Sequence, residues 1–103
     1  MRSVIVLAAV LASVAVGASS AVAAPTPADR GMQLCERQGG TPSSASADSF
    51  TCDKALADGG FNSKEVSQAA QLCDRLGRKA GGRGFGFNSV DGTPVQYSCT
   101  VFS

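Results

Sequence analysis

Four cysteines, Cys35, Cys52, Cys73 and Cys99, are the most reactive side chains in this sequence and its most informative ones. Thiolates that hold zinc come in close C-x₂₋₄-C pairs, and none of these neighbours is that close. Oxidised to disulfides, the same residues staple small exported domains. The chain contains no histidine, which removes Ser–His and Cys–His nucleophile pairs and the commonest general base. Carboxylates remain, and Asp48, Asp53 and Asp91 are the candidates for an acid/base pair of the glycosidase type. Their settings argue against it. Asp48 reads as a loop residue, Asp53 follows a strand cysteine and Asp91 belongs to a turn. The sequence therefore assigns no catalytic residue and no cofactor, and the chain is read as non-enzymatic.

Two further stretches bear on binding. Arg83-Gly84-Phe85-Gly86-Phe87 matches the opening of the strand signature with which RNA-recognition motifs stack bases. The match then breaks, because Asn88 stands where an aliphatic belongs and Val90 where an aromatic belongs. The simpler reading is a Gly/Phe strand whose small residues let its backbone approach a helix, with no nucleic-acid partner. Arg75, Arg78, Lys79 and Arg83 form the one charge cluster, interrupted by Gly77, Gly81 and Gly82. Such a run is commonly a solvated loop; its sharper reading is a contact point for an acidic partner or a glycan. The Ser-rich stretch from Thr41 to Ser49 is a second solvated loop that can act as a recognition tip.

These residues need a compartment and a scaffold. Arg2, an apolar run from Val4 to Ala18, and the small residues Ala21-Val22-Ala23-Ala24 have the layout of a secretory signal peptide over residues 1–24. The apolar run is short for a membrane span and no basic stop-transfer cluster follows, so no stable membrane anchor is expected. Losing Arg2 with the leader brings the formal charge of +1 to zero, which gives no general attraction to nucleic acid or anionic lipid. The halves differ: acids outnumber bases over residues 25–60, and bases outnumber acids over residues 61–103. One small secreted domain, residues 25–103, buries only about 60% of the surface its unfolded chain exposes, and is marginal without staples.

Two helices are predicted. Thr26 can cap the first, with Pro27 at its first position and Asp29 completing a capping box; it should run to about Gln38 and stop at Gly39. Gly31 inside it costs about 1 kcal/mol relative to alanine. The second has Asn62 as N-cap, Glu65 at the capping-box position, and Phe61 and Val66 placed as a hydrophobic staple. Val66, Ala69, Ala70, Cys73 and Leu76 keep helical spacing, and Gly77 offers the stop. Ser49 to Cys52 alternates as a half-buried strand that points Phe50 and Cys52 inward. Residues 85–101 read as a β-hairpin. A two-residue Asp91-Gly92 loop would pair Phe87 with Gln96 and split the apolar rows between faces. A three-residue loop, Val90-Asp91-Gly92, pairs Phe87 with Val95 and Phe85 with Tyr97, and is the predicted register.

Gln33-Leu34-Cys35-Glu36-Arg37 nearly recurs as Gln71-Leu72-Cys73-Asp74-Arg75, and each copy leads through glycines and a loop to an aromatic beside a second cysteine. Four cysteines allow three pairings. The repeat favours Cys35 with Cys52 and Cys73 with Cys99, each tying a helix to the strand of its own unit. The expected fold is α+β: two helix-plus-β-hairpin repeats, about 26–58 and 61–103, with the helices packed on a short antiparallel sheet.

The layout Cys35 to Gly40 followed by Phe50-Thr51-Cys52 resembles short exported actinobacterial proteins, mycobacterial ones especially. In these a signal peptide precedes units of Cys, a few residues, Gly-Gly, a loop, then an aromatic near a second Cys. The second unit departs from the pattern, with Gly77 alone and Gly81-Gly82 displaced by four residues. The resemblance implies secretion and a disulfide scaffold, and assigns no catalytic residue. The expectation is a secreted, disulfide-stabilised binding protein for an extracellular protein or glycan, extracellular or held in the cell envelope, with Arg75, Arg78, Lys79 and Arg83 at the contact. The alternative is a secreted inhibitor or toxin-like effector.

Overall fold

The structure is a computed structural model that describes residues 24–102. The signal peptide assigned to residues 1–24 therefore lies, Ala24 apart, outside the described residues. The elements run α1 (Pro27–Arg37), β1 (Thr41–Ser46), β2 (Ser49–Asp53), a 3₁₀ turn (Leu56–Asp58), α2 (Ser63–Ala80), β3 (Gly82–Val90) and β4 (Thr93–Phe102). The four strands form one antiparallel sheet in the order β1-β2-β4-β3, and both helices pack on it. The architecture is α+β, in the order α-β-β-α-β-β.

Both helix starts follow their caps. The Thr26 hydroxyl accepts the Asp29 N–H at 3.1 Å and the Asp29 carboxylate accepts the Thr26 N–H at 3.0 Å. Asn62 and Glu65 repeat the exchange at 2.8 and 3.0 Å. Phe61 and Val66 are both buried, as a hydrophobic staple requires. Helix α1 ends where expected. Gly39 there takes a φ of +81°, a conformation that glycine adopts without steric cost.

The end of α2 corrects the sequence reading. Gly77 does not stop the helix, which continues one more turn to Ala80, and Gly81 at φ +115° is the cap. Gly77 is buried because the chain folds back over it; a Cβ there would lie 2.6 Å from the Cβ of Arg83. Its small size serves the return of β3, not helix termination. The four-residue displacement of Gly81-Gly82 is thus one extra turn of helix.

Thr41 to Ser46 is a strand, not the expected loop. Its sequence lacks alternating apolar residues because it is an edge strand with mostly exposed side chains. Backbone pairing with β2, from Thr41↔Asp53 to Ser46↔Ser49, is what orders it.

The C-terminal hairpin also differs. Its loop is the two-residue Asp91-Gly92 turn, with φ of +52° and +80°. A bulge reconciles that loop with the faces: Ser89 pairs with Pro94, Asn88 with Gln96, and Val95 is the extra residue on β4. Phe87 then opposes Tyr97 and Phe85 opposes Cys99, so both phenylalanines lie on the helix-covered side. Gly84 and Gly86 face the open side, where Phe102 lies over Gly84. The glycines of β3 do not serve close helix packing.

The core is Leu34, Phe50, Phe61, Val66, Ala69, Tyr97, Val101 and the four cysteines. Disulfides join Cys35 to Cys52 and Cys73 to Cys99, each linking a helix to the inner strand of the following hairpin. Two glycines are fixed by this packing. A Cβ on Gly31 would overlap the ring of Phe50, which is 1% exposed. One on Gly40 would press on Cys52 Sγ and stand 3.0 Å from Cys35 Sγ, so Gly39 ends the helix and Gly40 makes room for the staple.

Candidate functional site

The two helices lie beside each other on the sheet, and an open groove of about 680 Å³ runs between their outer surfaces. Helical spacing sets what lines it. Arg30 and Arg37 are two turns apart on α1, and Lys64 and Arg75 are three turns apart on α2, so each pair projects from one face. At 1.5 Å per residue the cations span about 10 Å along one wall and about 16 Å along the other. Gln33, Gln68 and Gln71 add amides, and Glu65 is the single carboxylate among the lining residues. One Glu65 oxygen is already held by the Asn62 N–H at 3.0 Å. Among the described residues, none of the four cations enters an ion pair.

Gln38 lies beneath this groove. Its side-chain carbonyl accepts the Tyr97 hydroxyl at 2.6 Å, and its amide donates to the Glu65 carbonyl at 3.1 Å and to Gln68 at 3.2 Å. Its own backbone carbonyl accepts from Lys54 Nζ at 3.1 Å. One glutamine thus ties α1, α2 and the sheet together from a position only 8% exposed. Tyr97 is fully buried, and its ring packs at a tilt on Phe61 with centroids 4.9 Å apart. Burial, and secondarily the negative charge of Glu65, push its phenol up to about 12. The role is structural, because the hydroxyl is spent on Gln38.

A titration reads this directly, since Tyr97 is the chain's only tyrosine. Followed by ultraviolet absorbance, the native protein should ionise near pH 12, and the unfolded protein near pH 10. The folded value is raised, so the linked stability is complete below about pH 10 and is lost on going from there towards 12, by about 1.4 kcal/mol per pH unit. A native midpoint at the unfolded value would show that the phenol is not enclosed.

The cluster singled out in the sequence divides in space. Asp74 takes Arg83 Nε at 2.9 Å and an Arg78 terminal nitrogen at 3.4 Å, while Arg75 turns to the groove. Lys79 borders a neighbouring recess of about 590 Å³ with Arg30, Leu72 and Leu76. The pairs on Asp74 lie at the surface. Such pairs are worth under about 1 kcal/mol, but they lower the local positive charge. The concentrated positive surface instead draws Arg30 and Arg37 from the acid-rich half of the sequence. Arg30, Arg37 and Lys64 escape a reading of the sequence, although the seven- and eleven-residue spacings that align the groove cations on their helices are legible in the chain.

The carboxylate candidates are not gathered into one site. Asp53 accepts from Gln96 Nε2 at 2.8 Å. The Asp48 carbonyl instead accepts the N–H of Val101. Gln96 and Val101 are five positions apart on β4, which is about 16 Å along the strand. Asp91 sits in the β3–β4 turn. Among the described residues no helix is long and apolar enough to cross a membrane. No family model matches this chain, and no curated protein or solved structure is found similar to it.

Proposed function

We propose that this chain is an exported, non-enzymatic binding module, built from two α-β-β repeats, that holds an anionic extracellular protein or glycan along the groove between its helices. The observation that carries the reading is the groove itself: among the described residues, four unpaired cations from two helices against one partly engaged carboxylate. A charge-lined cleft concentrates an oppositely charged partner and accelerates encounter even when the molecule as a whole is neutral. Arg75 is the contact common to the groove and to the cluster read from sequence, with Lys79, Arg78 and Arg83 at its margin.

Export is supported by the leader-like residues 1–24 and by two disulfides, which persist in oxidising compartments. The repeat reading is supported by the inner strands. Phe50 pairs with Cys99 and Cys52 with Tyr97, so exchanging the two halves leaves this pairing unchanged about Thr51↔Ser98.

The test uses the oxidised protein with poly-glutamate and polyuronate as probes, by calorimetry over a salt series. Binding is expected to weaken as salt rises, because exposed charges are screened within about 10 Å at about 0.1 M. Changing Arg30, Arg37 and Arg75 together to serine should weaken it at least about tenfold, each cation contributing about 0.5 kcal/mol or more. Changing Arg78, Lys79 and Arg83 should weaken it less. Binding untouched by the first triple change would overturn the surface. Inhibition of an extracellular hydrolase panel, with no probe binding, would instead assign an inhibitor.

A further inference from the structure

The two edges of the sheet are built differently. Strand β1 is short, carries Pro42 and loses regular pairing between Ser43 and Ser46, which are devices that discourage further pairing. Strand β3 is longer and has no proline, and the one irregularity in its pairing, between Asn88 and Ser89, comes from the extra residue on β4 and leaves β3 itself unbroken. It is nine residues long, contains no proline or lysine, and its only charge, Arg83, is turned onto Asp74. Phe87, 53% exposed, and Val90, 46% exposed, leave apolar surface along it.

We propose that β3 is a self-association edge, pairing antiparallel with β3 of a second copy to give a two-fold dimer with one continuous eight-stranded sheet. The register follows from hydrogen-bond alternation. Ser89 opposes Pro94, which has no N–H, and the Pro94 carbonyl is turned away to accept the Phe61 N–H at 2.8 Å. Ser89 therefore sits at a non-bonded position of the β3–β4 ladder and turns its own N–H and C=O outward. Alternation along β3 then turns Arg83, Phe85 and Phe87 outward too. Pairing the whole strand about a two-fold axis centres it on Gly86. That sets Phe85 opposite Phe87 of the second copy and Arg83 opposite its Ser89, so every outward donor meets an outward acceptor.

The side chains fit this register. Phe85 and Phe87 lie on the same side of the sheet, so the register makes two cross-strand aromatic pairs and covers the exposed Phe87. On the other side Gly82, Gly84 and Gly86 present no bulk to the incoming strand. Charge is complementary at both ends: Asp91, just past β3, meets Gly81 of the second copy, the cap of its α2, whose last turn carries the basic residues Arg78 and Lys79. A two-fold interface supplies each such contact twice.

The test is sedimentation equilibrium of the oxidised protein between about 1 and 100 µM, with hydrogen exchange at the two ends of that range. A dimer is expected, with the amides of Phe85, Phe87 and Ser89 gaining protection as concentration rises. Phe87→Lys and Ser89→Pro should each weaken association at least tenfold, since neither removes a bond of the β3–β4 ladder. Ser43→Lys on the opposite edge should leave it unchanged. Gly86→Cys should form an intermolecular disulfide under mild oxidation, and Gly84→Cys should not. A monomer throughout the range, or a dimer indifferent to both β3 variants while Ser43→Lys disrupts it, would overturn the proposal. The exchange measurement needs no variant, so misfolding of a substituted chain cannot decide the result.

Discussion

Replacing Cys73 and Cys99 together by alanine is expected to leave the domain mostly unfolded at about 37 °C. The bridge spans a sequence separation of 26 residues. For such a loop the chain-entropy account gives about 3 to 4 kcal/mol. Both sulfurs are buried in the core between α2 and β4, so their loss also removes packing. A domain of this size has a total stability of about 5 kcal/mol, and most of it goes with the bridge. Thermal unfolding followed by circular dichroism should show Tm lowered by at least about 12 °C, using about 4 °C or more per kcal/mol for a small domain. The Cys35–Cys52 bridge spans a sequence separation of 17 residues. The shorter loop should make its loss slightly less costly. A drop below about 5 °C for either pair would mean that the sheet and helices hold together without their staples.

Gly31→Ala should destabilise the protein, although helix propensity alone says the reverse. In an isolated helix the change gains about 1 kcal/mol. Here the added methyl would overlap three ring carbons of Phe50, which is buried in the core. Overpacking of that kind costs about 1 to 3 kcal/mol or more, and a direct overlap with ring carbons belongs at the upper end. The net expectation is a loss of about 2 kcal/mol in urea unfolding. The sign should reverse in a Phe50→Ala background, where the ring carbons that the methyl would overlap are gone and the propensity gain survives. The same sign in both backgrounds would show that Gly31 is not shaped by Phe50.

Local signals in this chain report faithfully where local energy decides. The caps at Thr26 and Asn62, the staple of Phe61 on Val66, and the inward strand Phe50 to Cys52 all rest on contacts within a few residues, and all are present. The disulfide pairing is legible for a related reason: the cysteines recur at matched places in two like stretches of sequence. What stays hidden is decided by distant parts of the chain. Gly77 looks like a helix stop until Arg83 is seen folding back on it. Thr41 to Ser46 has no apolar alternation because only its backbone is used. The bulge at Val95 that aligns Phe87 with Tyr97 becomes visible only when the inner strand is fixed against β2. The groove cations escape notice because a run of neighbours, Arg75 to Arg83, stands out over residues spaced by whole helical turns.

A scaffold with both disulfides formed is the condition for the groove, since each bridge ties one of the two helices that line it to the sheet, and the proposed export is what would keep them oxidised. The measurement that tests it most directly is intact mass before and after reduction, with non-reduced tryptic mapping, on protein recovered from culture medium. Cleavage sites at Arg37, Lys54, Lys64 and Arg75 separate every neighbouring pair of cysteines, so linked peptides report the pairing without ambiguity. The expected result is a chain lacking residues 1–24, with Cys35 joined to Cys52 and Cys73 to Cys99. A full-length, reduced chain retained in the cell, or cysteines linked across the two halves, would contradict that picture.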